Sequence, residues 1–468
     1  MKKFSKRLIG VQILFAAFIL ACIICWLYLL TFMEEDALDI EHFVVFSISI
    51  SALLVLISIY CIAYYHLSGY EINDHQVICH RGVFFRKHTV IDRNNIHAIN
   101  IRQGLFQRIL GVSSLLIDSG SANTSHQAEI VIHEDKDIIK KLYNALKYEE
   151  EIVLENERST YNYSTDTMIY HALIDTITPF ILLVLILAAI SFFQEGWLIM
   201  MQAIVFAIVV VAFFIVRLIM LVCQYHAFSV KRTLESLEIN YGLFVKTNNS
   251  FKLNKIKAIK IIQGPLKALF GYAQIRIEVI GYGSTDNKFS GVLIPLCKKK
   301  DIEAILNELI PDYLPLKRNS KSCFFKPFII LPFGIFSLVS IIVLLTFLAF
   351  SVTLNDYTYF IIFSYCLLAV FLLASILWLI DSYLSYKNQS LNVGDDLITA
   401  YSGGLLKIIT IVKNKDLVAI EDVTTYFRKK KGIYDFKIHF HSNAMTNVIL
   451  LKCLSLEDKT VLLSKLKF

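Results

Sequence analysis

Charged residues are scarce in this sequence. Asp, Glu, Lys and Arg make up 18% of the 468 residues, whereas 56% of the residues are hydrophobic. This balance is too apolar for an ordinary soluble chain, in which about 25% of residues are charged. The hydrophobic excess must therefore be concentrated in particular segments.

The sequence also lacks the short motifs that mark common catalytic sites. It contains no Walker-type phosphate loop, no G-x-S-x-G nucleophile elbow and no H-E-x-x-H zinc motif. The soluble parts hold no paired cysteine motif that predicts a metal site. We therefore expect no catalytic residue, no metal, no cofactor and no enzymatic activity.

The nine cysteines show no shared spacing. Cys22 and Cys25 form a C-x-x-C string, but it lies in the middle of a long apolar run. Neither zinc binding nor thiol exchange is expected in lipid, where a free cysteine packs as a small hydrophobic residue. We expect the cysteines in such runs to be packing residues.

Six apolar runs contain most of the hydrophobic excess. They cover residues 8–32, 43–65, 173–193, 197–216, 327–352 and 357–380. Each is about 20 residues or longer, enough to cross a hydrocarbon core of about 30 Å as a helix. The first run has no cleavage site after a short apolar core, so we interpret it as a retained helix. The sequence thus predicts six transmembrane helices in three hairpins.

The charges beside the runs predict the orientation. Lys2, Lys3, Lys6 and Arg7 precede the first run, whereas residues 33–42 contain no Lys or Arg. The positive-inside rule then places the N-terminus in the cytoplasm. The other hairpin connectors also lack Lys and Arg, so we expect a multi-pass protein of the cell membrane. Both termini and all three long segments outside the hairpins are expected on the cytoplasmic side.

The chain repeats itself three times. The stretches RGVFFRKHTVIDRNNIHAINIRQGLFQRILG from Arg81, YGLFVKTNNSFKLNKIKAIKIIQGPLKALFG from Tyr241 and SGGLLKIITIVKNKDLVAIEDVTTYFRKKKG from Ser402 align without a gap. The unit recurs at about 160 residues, which corresponds to one pair of spans plus one domain. Two glycine positions recur in every copy: Gly82, Gly242 and Gly403, and then Gly111, Gly271 and Gly432. The first predicts a turn or a close backbone approach, and the second predicts the left-handed end of a short helix.

Each copy has the pattern of a small β domain that is closed by a helix. Apolar residues alternate at a period of two, as in Ile275, Ile277 and Val279. An amphipathic helix ends each copy. The predicted apolar faces are Ile138, Ile139, Leu142 and Leu146; Ile302, Ile305, Leu306 and Leu309; and Val461, Leu462 and Leu466.

This arrangement resembles the YdbT-like bacterial membrane proteins with type-two bacterial pleckstrin-homology (PH) domains. The resemblance rests on the strand with the first glycine, the IHAI, IKAI or LVAI core, and a Q-G or T-T pair before the helical turn. The third copy departs most, because Thr424 and Thr425 replace the Q-G pair. The resemblance implies a fold of membrane α-helical hairpins plus α+β, with three PH-like small β-barrel domains that each end in a helix.

The predicted domain boundaries follow from the runs and the repeats. We expect hairpin 1 at 1–65, PH-like domain 1 at 66–150, a linker and hairpin 2 at 151–224, PH-like domain 2 at 225–312, a linker and hairpin 3 at 313–381, and PH-like domain 3 at 382–468.

Basic residues cluster at the helical turn of each copy and before the second closing helix. They are candidate contacts to anionic lipid head groups or to a partner: Arg108, Lys267, Lys298, Lys299, Lys300, Arg428, Lys429, Lys430 and Lys431. Each such charge near a membrane surface contributes about 1 kcal/mol. A solvated cytoplasmic face is the alternative, because the positive-inside rule also produces such runs.

The resemblance implies a binding scaffold. Similar proteins often occur beside a smaller protein of the same family and are linked to envelope stress or to resistance to membrane-active peptides such as bacteriocins. The expected partners are the lipid bilayer, anionic lipid head groups and a membrane protein of the same family, and not nucleic acid. The alternative is a transporter or channel component that moves lipid or peptide, but few polar residues lie at the middle of the runs.

Overall fold

The computed structural model describes most of the chain. The described residues are 2–33, 40–96, 98–119, 129–146, 159–191, 197–279, 291–317, 374–440 and 448–454, with isolated positions at 334–345 and at 460. The labelled helices are α1 (Arg7–Met33), α2 (Ile40–Leu67), α3 (Leu105–Ile109), α4 (Lys136–Leu146), α5 (Thr165–Ser191), α6 (Trp197–Gln224), α7 (Pro265–Leu269), α8 (Ile302–Leu309) and α9 (Tyr426–Lys429). Residues 374–388 are also helical.

The prediction of six transmembrane helices is wrong. Among the described residues, two helical segments are long and apolar enough to cross a membrane, Ile48–Leu67 in α2 and Ala207–Gln224 in α6. A shorter apolar helical segment covers Arg7–Ala21. Most of the third predicted hairpin, within 313–381, lies outside the described residues.

The first residues of the run at 173–193 pack against protein. Within α5, Ala172, Ile174 and Thr176 are 1%, 7% and 1% exposed. An apolar run gives the same sequence signal whether its side chains face lipid or a protein core. Only the packing distinguishes the two cases.

The chain divides into two compact units. Unit 1 comprises Met1–Tyr163, Cys223–Lys255 and Gly281–Lys288, and unit 2 comprises Ser164–Val222, Ile256–Ile280 and Phe289–Phe468. Each unit therefore combines parts of two sequence repeats.

The described residues of unit 1 form two antiparallel sheets. The first has the order β1-β2-β3-β4, and its strands are β1 (Lys2–Lys3), β2 (Gly69–Ile72), β3 (Gln76–Arg81) and β4 (Lys87–Asp92). The second has the order β7-β6-β5-β11-β10-β9-β8. Its strands are β5 (Ala98–Gln103), β6 (Val112–Asp118), β7 (Ile130–Asp135), β8 (Ser159–Asn162), β9 (Ser229–Arg232), β10 (Ser236–Tyr241) and β11 (Lys246–Lys252).

The seven-stranded sheet runs from the first repeat into the second. Strand β5 pairs antiparallel with β11, and Ile101 lies opposite Asn248. This pairing satisfies the backbone groups of what would otherwise be two open sheet edges. The described strands form four antiparallel sheets, and two of these sheets join neighbouring repeats.

The core of unit 1 lies between its sheets and α4. Val77, Leu115 and Ile132 are fully buried in it, and the N-terminal Phe4 and Leu8 pack into the same cluster. The predicted closing helix is confirmed as α4, since Ile139 and Leu146 are buried and Leu142 packs against the cluster.

Unit 2 has a six-stranded and a three-stranded antiparallel sheet, with the orders β14-β13-β12-β17-β16-β15 and β18-β19-β20. The strands are β12 (Ile256–Gln263), β13 (Tyr272–Val279), β14 (Val292–Lys298), β15 (Ser390–Val393), β16 (Leu397–Ser402), β17 (Lys407–Lys413), β18 (Leu417–Val423), β19 (Tyr434–Phe440) and β20 (Val448–Leu454). Strand β12 of the second repeat pairs with β17 of the third.

The second predicted closing helix is confirmed as α8. All four residues of its predicted apolar face, Ile302, Ile305, Leu306 and Leu309, are buried. The third predicted closing helix, with Val461, Leu462 and Leu466, lies outside the described residues.

The recurring glycines adopt the conformations predicted for them. Gly242 has φ +108°, and a Cβ at this position would overlap Val245 O. Gly111 follows the end of α3 with φ +71°. A residue with a side chain would be strained at both positions.

Candidate membrane-facing surface

The turn between β3 and β4 exposes two phenylalanines. Phe84 is 84% exposed and Phe85 is 94% exposed. Arg86 and Lys87 follow them and are also exposed. We call residues 83–87 the apolar turn. Exposed aromatic side chains beside cations are typical of protein surfaces that enter the interfacial region of a bilayer.

The apolar turn lies beside a helical segment that is long and apolar enough to cross a membrane. The ring of Phe84 stacks on the ring of Tyr60, with 6.3 Å between the centroids. Tyr60 belongs to the segment Ile48–Leu67, only 6% of which is buried. The exposed apolar surface of the turn is thus continuous with the exposed apolar surface of α2.

The short helix α3 lies beside α1 in the same unit. Phe106 packs against Phe15 and Phe18, with ring centroids 6.1 and 5.8 Å apart. Ile109 at the end of α3 is 68% exposed. The short helix therefore adds exposed apolar surface beside α1.

The other repeats expose apolar residues at the equivalent turn. Phe244 and Val245 follow Gly242, and Leu406 follows Gly403; all three side chains are exposed. Lys246 and Lys407 come next in the chain. Leu269 and Phe270 are likewise exposed around the end of α7 in unit 2. Apolar turns are thus a property of the repeat.

The structure distributes the predicted basic residues over different environments. Arg108 is exposed, and its Nη1 donates a hydrogen bond to Leu243 O at 3.2 Å. Lys298, Lys299 and Lys300 are exposed where β14 ends. These four remain candidates for contact with anions.

Lys267 lies in a different environment. It is 9% exposed, and its Nζ lies 2.9 Å from Asp175 Oδ1 in α5. His171 Nε2 lies 3.0 Å from the other oxygen of the same carboxylate. Lys267 therefore belongs to a charge cluster inside unit 2.

In the basic run of the third repeat, two of the four residues contact other side chains. Arg428 Nη1 lies 2.9 Å from Asp435 Oδ2. Lys430 Nζ lies 4.8 Å from the centre of the Tyr426 ring, close enough for a cation–π contact. Lys429 and Lys431 are exposed at the end of α9.

The apolar turns were not predicted from the sequence. A signal for them exists, because every copy has two or three apolar residues between the first recurring glycine and a basic residue. From the local sequence alone, these residues have the pattern of strand positions. The structure shows that they lie in a turn and are exposed.

The fold and the apolar surfaces define a membrane protein with tandem antiparallel β domains. The family model of the bacterial PH domain matches residues 12–150 and 180–312. The chain belongs to this family, as the resemblance predicted. It is 22% identical over 440 residues to the UPF0699 transmembrane protein YdbT of Bacillus subtilis (strain 168), an alignment that covers 84% of each chain.

Proposed function

We propose that the protein is a non-enzymatic binding scaffold whose PH-like domains lie on the cytoplasmic surface of the cell membrane. In this proposal the chain crosses the membrane more than once, and both termini are cytoplasmic. The basic residues before the first apolar run and the lack of Lys and Arg in residues 33–42 support this orientation.

The observation that carries the proposal is the position of the apolar turn. Phe85 is 94% exposed and adjoins Phe84, which stacks on Tyr60 of the apolar segment Ile48–Leu67. In water, this much aromatic surface would be costly to leave exposed. Insertion of the turn into the interface buries it and brings Arg86 and Lys87 to the anionic head groups.

The shared sheets support a scaffold role. Strand pairing between β5 and β11 in unit 1, and between β12 and β17 in unit 2, holds neighbouring repeats at fixed registers. Binding surfaces on repeats joined in this way would be presented together. A partner with several contact points would then bind at a high effective concentration.

Insertion of the apolar turn can be measured by the quenching of tryptophan fluorescence. A Phe85→Trp variant, in which the three native tryptophans are replaced by Phe, is reconstituted in nanodiscs that contain brominated lipids. We expect strong quenching because the indole would lie in the interface. His75→Trp is the matched control, since His75 is exposed at the other end of β3. Equal, weak quenching at both positions would contradict the proposal.

The family resemblance extends the proposal to envelope defence. We propose that the scaffold binds a membrane protein of the same family and protects the cell against membrane-active peptides. A strain that lacks the gene should be killed at lower bacteriocin concentrations than its parent, and expression of the intact chain should restore resistance. Identical killing curves for several bacteriocins would reject this role.

A further inference from the structure

Unit 1 contains a cleft with a cavity volume of about 300 Å³. One side is formed by the first repeat, including Lys136 and Lys140 of α4. The other side is formed by the second repeat, including Asn240, Lys246 and Asn248. The cleft therefore exists only because the two repeats share a sheet.

The strand register explains how these residues meet. Ile101 of β5 lies opposite Asn248 of β11, which in turn lies opposite Asn240 of β10. Residues directly opposite in a sheet point to the same face. The same face is covered by α4, whose Ile139 lines the cleft from above. The strands of the second repeat extend the floor of the cleft beyond those of the first.

The charge of the cleft is positive. Lys136, Lys140 and Lys246 line it, and none of the three forms an ion pair with a described residue. In unit 2, by contrast, Lys257 and Lys260 are paired with carboxylates at 2.6 and 2.7 Å. Three ammonium groups around one cavity attract an anion.

The acidic residues nearest the cleft do not line it. Glu238 lies two residues before Asn240 on β10 and receives a hydrogen bond from the Tyr143 hydroxyl at 3.5 Å. Asp135, which precedes α4, lies 3.9 Å from Arg7 Nη1, and Asp137 is exposed beside Lys136. The charged side chains that line the cavity are therefore lysines.

A polar wall complements the lysines. Asn248 Oδ1 is buried without a hydrogen-bond partner among the described residues, which is costly for a buried amide. Rotation of this amide by a half-turn would place its NH₂ group there as a donor. Asn240, Thr247 and Ser113 add further polar groups to the lining.

We propose that this cleft binds a phosphate-bearing anion. Ammonium groups and amide or hydroxyl donors are the usual protein partners of phosphate oxygens. The cavity is larger than one phosphate group, so it can also hold the organic part of a phosphorylated compound. Two sources share this chemistry, a soluble phosphate compound and the head group of an anionic phospholipid.

The test uses the full-length protein in phosphatidylcholine nanodiscs. Pyrophosphate is titrated by calorimetry at constant ionic strength, and binding to nanodiscs with phosphatidylglycerol is measured in parallel. Lys140→Gln is expected to weaken binding at least tenfold, and the triple variant Lys136→Gln, Lys140→Gln, Lys246→Gln is expected to abolish it. Lys141→Gln is the matched control, because Lys141 is exposed on α4 and does not line the cleft.

The outcomes separate the two sources. Loss of pyrophosphate binding in Lys140→Gln but not in Lys141→Gln supports a soluble phosphate compound. If Lys140→Gln and Lys141→Gln differ only in their binding to nanodiscs with phosphatidylglycerol, the result supports a lipid head group. Equal affinities of the two variants, or the absence of binding in both arms, would overturn the proposal. All the lysines changed are exposed, so the variants should unfold at the temperature of the unaltered protein, which checks that they fold.

Discussion

Replacement of Lys267 by methionine is expected to destabilise unit 2 by about 3 kcal/mol. Lys267 Nζ lies 2.9 Å from Asp175 Oδ1, and its side chain is 11% exposed. Removal of one partner of a buried ion pair leaves the other charge desolvated, which costs about 3–5 kcal/mol. The lower end of this range applies because Asp175 keeps 31% of its side-chain exposure.

His171 replaces the lost lysine only in part. Burial lowers the pKa of His171, and the neighbouring Lys267 lowers it further, although the Asp175 carboxylate opposes the shift. Loss of Lys267 removes the second of these effects, but burial still disfavours the charged ring.

Two controls test whether the unpaired Asp175 carboxylate causes the loss of stability. The double variant Asp175→Asn, Lys267→Met should regain most of the lost stability, because no charge is then left buried. Lys437→Met should lower stability by less than about 1 kcal/mol, since the Lys437–Glu421 pair is exposed and 3.6 Å long. Unfolding in detergent is the measurement. A double variant no more stable than Lys267→Met would contradict this account.

Proline in place of Ser250 is expected to destabilise unit 1 by about 3 kcal/mol or more. Ser250 lies in β11, which pairs with β5 on one side and β10 on the other. Proline lacks the N–H group that a central strand donates to its ladder. Because β11 joins the two repeats, the effect should extend to both.

Limited proteolysis followed by mass spectrometry can locate this effect. New cleavage sites are expected in 98–118 of the first repeat and in 229–252 of the second. Ser250→Ala is the matched control, because it removes the hydroxyl but keeps the backbone donor, and it should leave the cleavage pattern almost unchanged. If Ser250→Pro opened only the second repeat, the two repeats would not share one cooperative sheet.

The candidate site could be predicted only in part. The exposed run Lys298, Lys299 and Lys300 is readable in the sequence, because consecutive lysines cannot all be buried. Lys267 and Arg108 lie one aligned position apart in the same helical turn of two copies, yet one is buried and the other exposed. The difference comes from Asp175, which lies about ninety residues earlier in the chain. No local pattern contains that information.

The sequence by itself determined the local structure. Alternation at a period of two predicted strands such as Tyr272–Val279, and the apolar face of Ile302–Leu309 predicted a closing helix. The recurring glycines predicted the positive φ values. These features depend on neighbouring residues, which hold the same local relationship in any fold.

Tertiary structure decided which edges pair and which apolar runs face protein. The β5–β11 ladder, the cleft beside it and the buried start of α5 all depend on residues far apart in the chain. The hydrophobic effect is non-directional, so the sequence of an apolar or alternating segment does not specify which surface it packs against. The partner is selected only when whole surfaces are packed together.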